Sequence, residues 1–154
     1  TAKKKQRRWY SGKKKRHTRK NLIMSDRKKR IGFLSKTGEG RQHDFSILNA
    51  LGLPECIPKH IRVRVDLGFK GYQKRYPEHL VSMPVRKPRT RELSPTVKEQ
   101  NARKSRVRVL VEHAIGGIKR FRITTDVFRN KLKDFDDRAM LISSGLWNYH
   151  LTFR

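Results

Sequence analysis

A lone carboxylate among cations is the first feature of this sequence with chemical potential. In Ser105 to Arg120, SRVRVLVEHAIGGIKR, Glu112 falls between Arg108 and Lys119. Four and seven residues apart, the three side chains share one flank of a helix. There the acid either takes a metal ion or completes a surface ion-pair row of small energetic value. A second acid, Asp66, follows the alternating run Ile61-Arg62-Val63-Arg64-Val65 and opens DLGFKGY, Asp66 to Tyr72. It therefore stands at the carboxyl end of a strand, where open α/β sheets hold ligands, although an Asp ahead of Gly68 is also an ordinary turn former. One acid at a strand end and one on a late helix, inside a polycation, is the equipment of metal-dependent phosphoryl transfer on DNA. Mg²⁺ prefers a few carboxylate oxygens and keeps several waters. Paired ions about 3.5–4 Å apart activate an attacking oxygen and stabilise the leaving one. Such a site normally has a third acid.

The composition narrows the partner. The chain has 154 residues, with 40 Lys and Arg against 13 Asp and Glu, for a formal charge of +27. That excess marks a polyanion partner, nucleic acid before others. Hydrophobic residues make up only 34%, but they cluster in periodic blocks, as in one folded domain with basic margins. Cys56 is the only cysteine, which excludes a disulfide framework and a cysteine metal cluster and fits a reducing, intracellular setting. No apolar run approaches membrane-spanning length and no signal-peptide core opens the chain.

The elements that must position these acids follow from pattern. Residues 1–20 form a basic segment interrupted by Trp9-Tyr10-Ser11-Gly12. It leads into a hairpin of Asn21-Leu22-Ile23-Met24 and Ile31-Gly32-Phe33-Leu34, whose first strand is expected to begin near Lys15. Cations along that strand, Lys13, Lys14, Lys15, Arg16 and His17, would line a phosphate track, with Trp9 or Tyr10 stacking on a base or packing at the sheet edge. Thr37 to Asp44 reads as a turn with a helix start, capped by Asp44 or Ser46 and running from Phe45 to Leu51. Its glycines match neither the Walker nor the dinucleotide pattern. Leu80 to Val85 is a further short strand, and Pro84 to Arg91 a loop. Ser94 as N-cap with Pro95 at the first helical position starts a helix expected to reach about Lys119. Its apolar stripe is Val107, Val111, Ala114 and Ile118, widened by Leu110 and Ile115. Phe135, Ala139, Leu141, Ile142, Leu146 and Tyr149 are spaced for a last helix over Asp134 to Leu151.

Four motifs in order, YSGKKKRHT (Tyr10 to Thr18), GEGRQHD (Gly38 to Asp44), DLGFKGY and RVLVEHAIGGIK (Arg108 to Lys119), give the chain a resemblance to the Asp-Asp-Glu transposases of the bacterial insertion-sequence-five family. The closing SSGLWNYHL (Ser143 to Leu151) also resembles that family's last helix. The resemblance implies an α/β, ribonuclease-H-like mixed sheet flanked by helices and two Mg²⁺ (or Mn²⁺) ions. It also implies metal-dependent cleavage and strand transfer at insertion-sequence ends. It makes Asp66 the second and Glu112 the third acid, both metal ligands, with Arg108 and Lys119 positioning DNA. The family signature has a Tyr three residues before that Arg, where this chain has Ser105.

The family's first Asp lies on an opening, central strand shortly before the segment matching Trp9 to Gly12. No acid precedes Asp26 here, and Asp26 falls in the hairpin turn. The chain is therefore expected to be the C-terminal, partial form of a single catalytic domain spanning residues 1–154, lacking that strand and inactive alone. Its expected partners are transposon-end and target DNA, an upstream transposase segment carrying the first Asp, and further copies of itself, in the bacterial cytoplasm. The competing expectations are a non-enzymatic basic nucleic-acid-binding protein, which the charge alone favours, and an inactive regulator of transposition.

Overall fold

Apolar runs broken every few residues by cations can sustain only brief strands, and the structure, a computed structural model, contains eight of them among its described residues. It describes residues 7–12, 14–130 and 132–153. They fall into two compact units, one of Thr1–Gln42 with Leu110–Arg154, the other of His43–Val109. Among the described residues the architecture is mixed α/β, with strands paired in four separate two-stranded sheets instead of one continuous sheet.

In the first unit, β1 (Tyr10–Ser11) pairs antiparallel with β2 (Arg16–His17), and β3 (Arg19–Lys20) with β6 (Gly38–Glu39). Between them β4 (Ile23–Ser25) and β5 (Ile31–Leu34) form the expected hairpin, with Ile23 opposite Leu34 and a bulge between Met24 and Ser25. Its turn is closed by Asp26, whose Oδ1 accepts from Arg30 N at 2.9 Å. The expectation that the first strand runs on from Lys15 is corrected. Lys15 adopts a left-handed φ of 52°, and Thr18 N turns back to donate to Trp9 O at 2.7 Å. The cationic run is thereby cut into two short strands with different partners.

In the second unit, α1 (Asp44–Ala50) starts one residue earlier than expected. Its N-cap is His43, whose Nδ1 accepts from Phe45 N at 3.4 Å; Asp44 occupies the first turn, where a negative charge meets the helix dipole favourably. The strand expected at 61–65 is β7 (Val63–Arg64), parallel to β8 (Val81–Ser82). The crossover between them carries the DLGFKGY turn and the short helix α2 (Tyr72–Arg75). The core of this unit is Ile47, Leu48, Pro54, Tyr72 and Tyr76.

One uninterrupted helix, α3 (Pro95–Lys119), begins at the predicted cap, where Ser94 Oγ accepts from Val97 N at 3.4 Å. Early in α3, Asn101 brackets Val85 with both amide groups at 2.9 Å and Lys104 Nζ donates to Met83 O at 2.8 Å, pinning the loop after β8. Late in α3, Ala114, Gly117 and Ile118 enter the core of the first unit. There Gly117 meets Trp147 of α4 (Phe135–Thr152). The close approach is possible because Gly117 has no side chain: a Cβ there would run into the Trp147 indole. Asn148 on α4 clamps the hairpin, its Oδ1 accepting from Ile31 N at 2.8 Å and its Nδ2 donating to Ile31 O at 2.9 Å.

The last helix forms where the spacing predicts it, but its inner face is not the apolar one. Ala139 is buried, but Leu141, Ile142, Leu146 and Tyr149 are exposed, and Ser143, Ser144 and Trp147 line the inside instead. Small residues face in because the large Trp147 ring fills the space beside Gly117.

Candidate carboxylate site and nucleic-acid interface

Asp66 is positioned by backbone bonding on both sides. Val63 N donates to Leu80 O at 2.8 Å and Val65 N to Ser82 O at 3.1 Å, which fixes the strand leading into it. Asp66 itself is extended, and its Oδ1 accepts from Gly68 N at 2.8 Å, capping the 3-10 turn Leu67–Phe69. The turn-forming role is thus real. The carboxylate is at the same time exposed, at the carboxyl end of β7.

A second carboxylate arrives at the same place. A Cβ on Gly68 would lie 2.9 Å from Asp66 Oδ1 and 3.0 Å from Asp44 Oδ2, so both acids converge on a glycine that leaves room for them. Asp44 is brought there by Phe45. Gly71, with φ 103°, sets its bare Cα against the Phe45 ring, where a side chain would approach Phe45 Cε1 to 3.3 Å. Beneath the turn, Tyr72 is fully buried and its hydroxyl meets His79 Nδ1 at 2.8 Å. Tyr76 stacks on His79 with ring centroids 5.7 Å apart, and its hydroxyl reaches Asn49 Oδ1 at 3.0 Å and Glu55 Oε1 at 3.1 Å. This aromatic cluster ties α1 to the crossover, and with it Asp44 to Asp66.

Burial, helped by Tyr76, Glu78 and Glu55, pushes the Tyr72 hydroxyl up to about 12. The neutral phenol is therefore favoured in the folded chain, and its contribution is complete below the ordinary value of 10. Stability falls as pH rises from there towards 12, because the unfolded chain releases the proton first. Tyr72→Phe should remove that part of the alkaline slope. At neutral pH it should cost about 1–2 kcal/mol, since His79 Nδ1 is left buried without its partner. Urea denaturation of both proteins at pH 7 and across the alkaline range measures both effects.

Hard carboxylate oxygens on exposed or half-buried side chains suit a divalent ion such as Mg²⁺. Asp66 and Asp44 fit that chemistry as a pair. Among the described residues no group of three or more His, Cys, Asp or Glu side chains gathers at one point. Glu112 is exposed on α3 and belongs to the other unit.

Of the residues expected to hold DNA, Lys14, Lys15, Arg16 and His17 are exposed at the β1–β2 turn and on β2, with His17 edge-on to Tyr10 at 5.7 Å. Lys13 lies outside the described residues. Arg108 is exposed on α3, and Lys119 is exposed in its last turn, where a cation complements the helix dipole. Two features escape a reading by spacing. Asp44 passes for a cap residue until the fold sets it beside Asp66. Arg7 and Arg8 meet Arg41 across an open cleft of about 590 Å³, completed by Glu39 and Gln42. Arg41 N donates to Arg8 O at 3.2 Å and joins the two walls.

Acidic oxygens converging at a strand end, on a chain clothed in Lys and Arg, are the makeup of an enzyme class that works on nucleic-acid phosphates. The chain belongs to the DDE superfamily endonucleases, whose family model matches residues 1–148. It is 32% identical over 152 residues to a protein of Microchaete diplosiphon described as a probable transposase for insertion sequence element IS702. The match covers 99% of this chain and 53% of that protein, so the chain spans about half the length of the curated relative. No solved structure matches it.

Proposed function

We propose that this chain is the catalytic portion of a DDE-type DNA transposase of the insertion-sequence-five type, with a single ribonuclease-H-like domain. In this reading Asp66 and Glu112 are ligands of Mg²⁺ or Mn²⁺, and Asp44 assists Asp66. The observation that carries it is the strand-end placement of Asp66, with a second carboxylate at Gly68, within a chain matched almost end to end by the endonuclease family. When bound, a pair of such ions supplies an activated attacking oxygen and charge stabilisation on the leaving oxygen.

The protein's own groups hold and orient. The Gly68 N–H fixes one Asp66 oxygen in place and offsets part of the repulsion between two neighbouring carboxylates. Lys13 to His17, with Arg108 and Lys119, neutralise phosphates of transposon-end and target DNA and fix its register without reading sequence. In this reading the first Asp of the triad is supplied by an upstream transposase segment. It acts in the bacterial cytoplasm, in association with DNA.

Nicking of supercoiled DNA in Mg²⁺ or Mn²⁺ tests this, with the chain alone and with a transposase segment supplying the opening strand. Metal-dependent nicks are expected only in the second case. Robust cutting by the chain alone would overturn the assignment of the first acid elsewhere.

A further inference from the structure

Three arginines converge where the residues preceding β1 meet the turn after β6. Arg7, Arg8 and Arg41, with Glu39 and Gln42, line the open cleft of about 590 Å³, and all five belong to the first unit. The arginines are exposed. Among the described residues Arg8 is the one of the three with a carboxylate partner, Glu39 Oε1 at 3.4 Å.

The walls of the cleft do not depend on these side chains. Arg41 N donates to Arg8 O at 3.2 Å, Gln42 N to Glu39 O at 3.0 Å and Thr18 N to Trp9 O at 2.7 Å. Arg19 stands opposite Glu39 in the β3–β6 ladder, and Lys20 Nζ donates to Gln42 O at 2.8 Å. Gly40 is buried against Thr18, so closely that a Cβ would overlap it. Backbone contacts thus fix the cleft and leave it lined by three planar guanidinium forks, which match phosphate oxygens two at a time.

Charge and size say what fits. Three arginines outweigh one glutamate, so the cleft favours an anion. A covering stretch of protein would have to be acidic, and this chain has 13 acids against 40 bases. Sites of roughly 300–1,000 Å³ hold small organic ligands, and a phosphodiester with its flanking sugars is of that order. Glu39 is the anion already in place. Its pair with Arg8 is long and exposed on both sides, 38% at the acid and 68% at the base, and such pairs contribute little. A phosphate can therefore take its place.

We propose that this cleft is a DNA backbone-phosphate site formed by Arg7, Arg8 and Arg41, in which Glu39 holds Arg8 until a phosphate displaces it. The proposal rests on the reading of the chain as part of a DNA-cutting enzyme. It adds a contact built separately from the cations of β2 and α3, one that fixes the register of the strand without reading its sequence.

Fluorescence anisotropy with a short fluorescein-labelled DNA duplex, in EDTA, tests it without cleavage. Arg8→Gln/Arg41→Gln should weaken binding about tenfold at roughly 0.15 M NaCl and lower the slope of log affinity against log salt by about 1–2. The loss should be the same on duplexes of unrelated sequence. Arg62→Gln/Arg129→Gln, which removes equal charge from other exposed positions, should weaken binding by about threefold at most. Glu39→Gln should tighten binding by about threefold or more. Glu99→Gln, which releases Arg103 from another exposed pair, should tighten it measurably less. Equal losses in the two arginine pairs would overturn the proposal, as would a Glu39→Gln gain no larger than that of Glu99→Gln. A wild-type chain that binds no DNA would take the wider reading down as well, whereas binding without metal-dependent nicking would remove the endonuclease assignment and leave this site standing.

Discussion

Asp66→Asn is expected to lower metal-dependent cleavage at least about 100-fold in the complemented nicking assay, with Glu112→Gln equally damaging. Asparagine keeps an oxygen that can accept from Gly68 N, so the 3-10 turn survives and only the anionic charge is lost. The substitution thus separates the proposed ligand role from that of turn former, which the residue holds in the structure. A second readout does not need turnover. If Mn²⁺ binds the folded chain alone, a concentration about 100 times its dissociation constant raises stability by roughly 2.7 kcal/mol. That rise in melting temperature should vanish in Asp66→Asn and shrink in Asp44→Asn. A non-enzymatic nucleic-acid binder would show salt-sensitive binding, no metal response and indifference to Glu112→Gln; that outcome would sink the transposase reading.

Trp147→Ala is expected to cost about 3–5 kcal/mol, a large share of the roughly 5–15 kcal/mol that holds a domain together. The indole is buried between α3 and α4 and its Nε1 donates to Lys29 O at 2.9 Å, so truncation opens a cavity and strips the hairpin of a tether. The reciprocal change, Gly117→Ala, drives a methyl group into the same ring. Overpacking of this kind typically costs about 1–3 kcal/mol. Because both changes act on one contact, their effects should not add: once the ring is gone, the methyl group has somewhere to go. Urea denaturation of the two single variants and the double variant, followed by far-ultraviolet circular dichroism, measures this directly.

The sequence makes plain the parts of this fold that rest on local chemistry. Ser94-Pro95 announces the start of α3, the polar stretch between Met24 and Ile31 announces a hairpin turn, and the alternation at 61–65 announces β7. What it conceals depends on packing at a distance. The inner face of α4 cannot be read from apolar spacing when Ser143 and Ser144 go inside and Ile142 and Tyr149 stay out. That choice is made by Gly117 on another helix. Asp44 shows the same limit at the carboxylate site. Its position beside Asp66 follows from Gly71 accepting the Phe45 ring, a contact between residues with no periodic relation. The cleft of Arg7, Arg8 and Arg41 joins segments that read separately as a basic tail and a turn.

The same-direction pairing of β7 with β8 has a kinetic corollary. Neighbouring antiparallel strands can zip from a tight turn, but Val63 meets Val81 only after the whole intervening crossover has been laid down. Until the Tyr72 and His79 rings have found each other, the strand bearing Asp66 has no ladder to hold it. The meeting of Asp66 and Asp44 at Gly68 must wait for that closure.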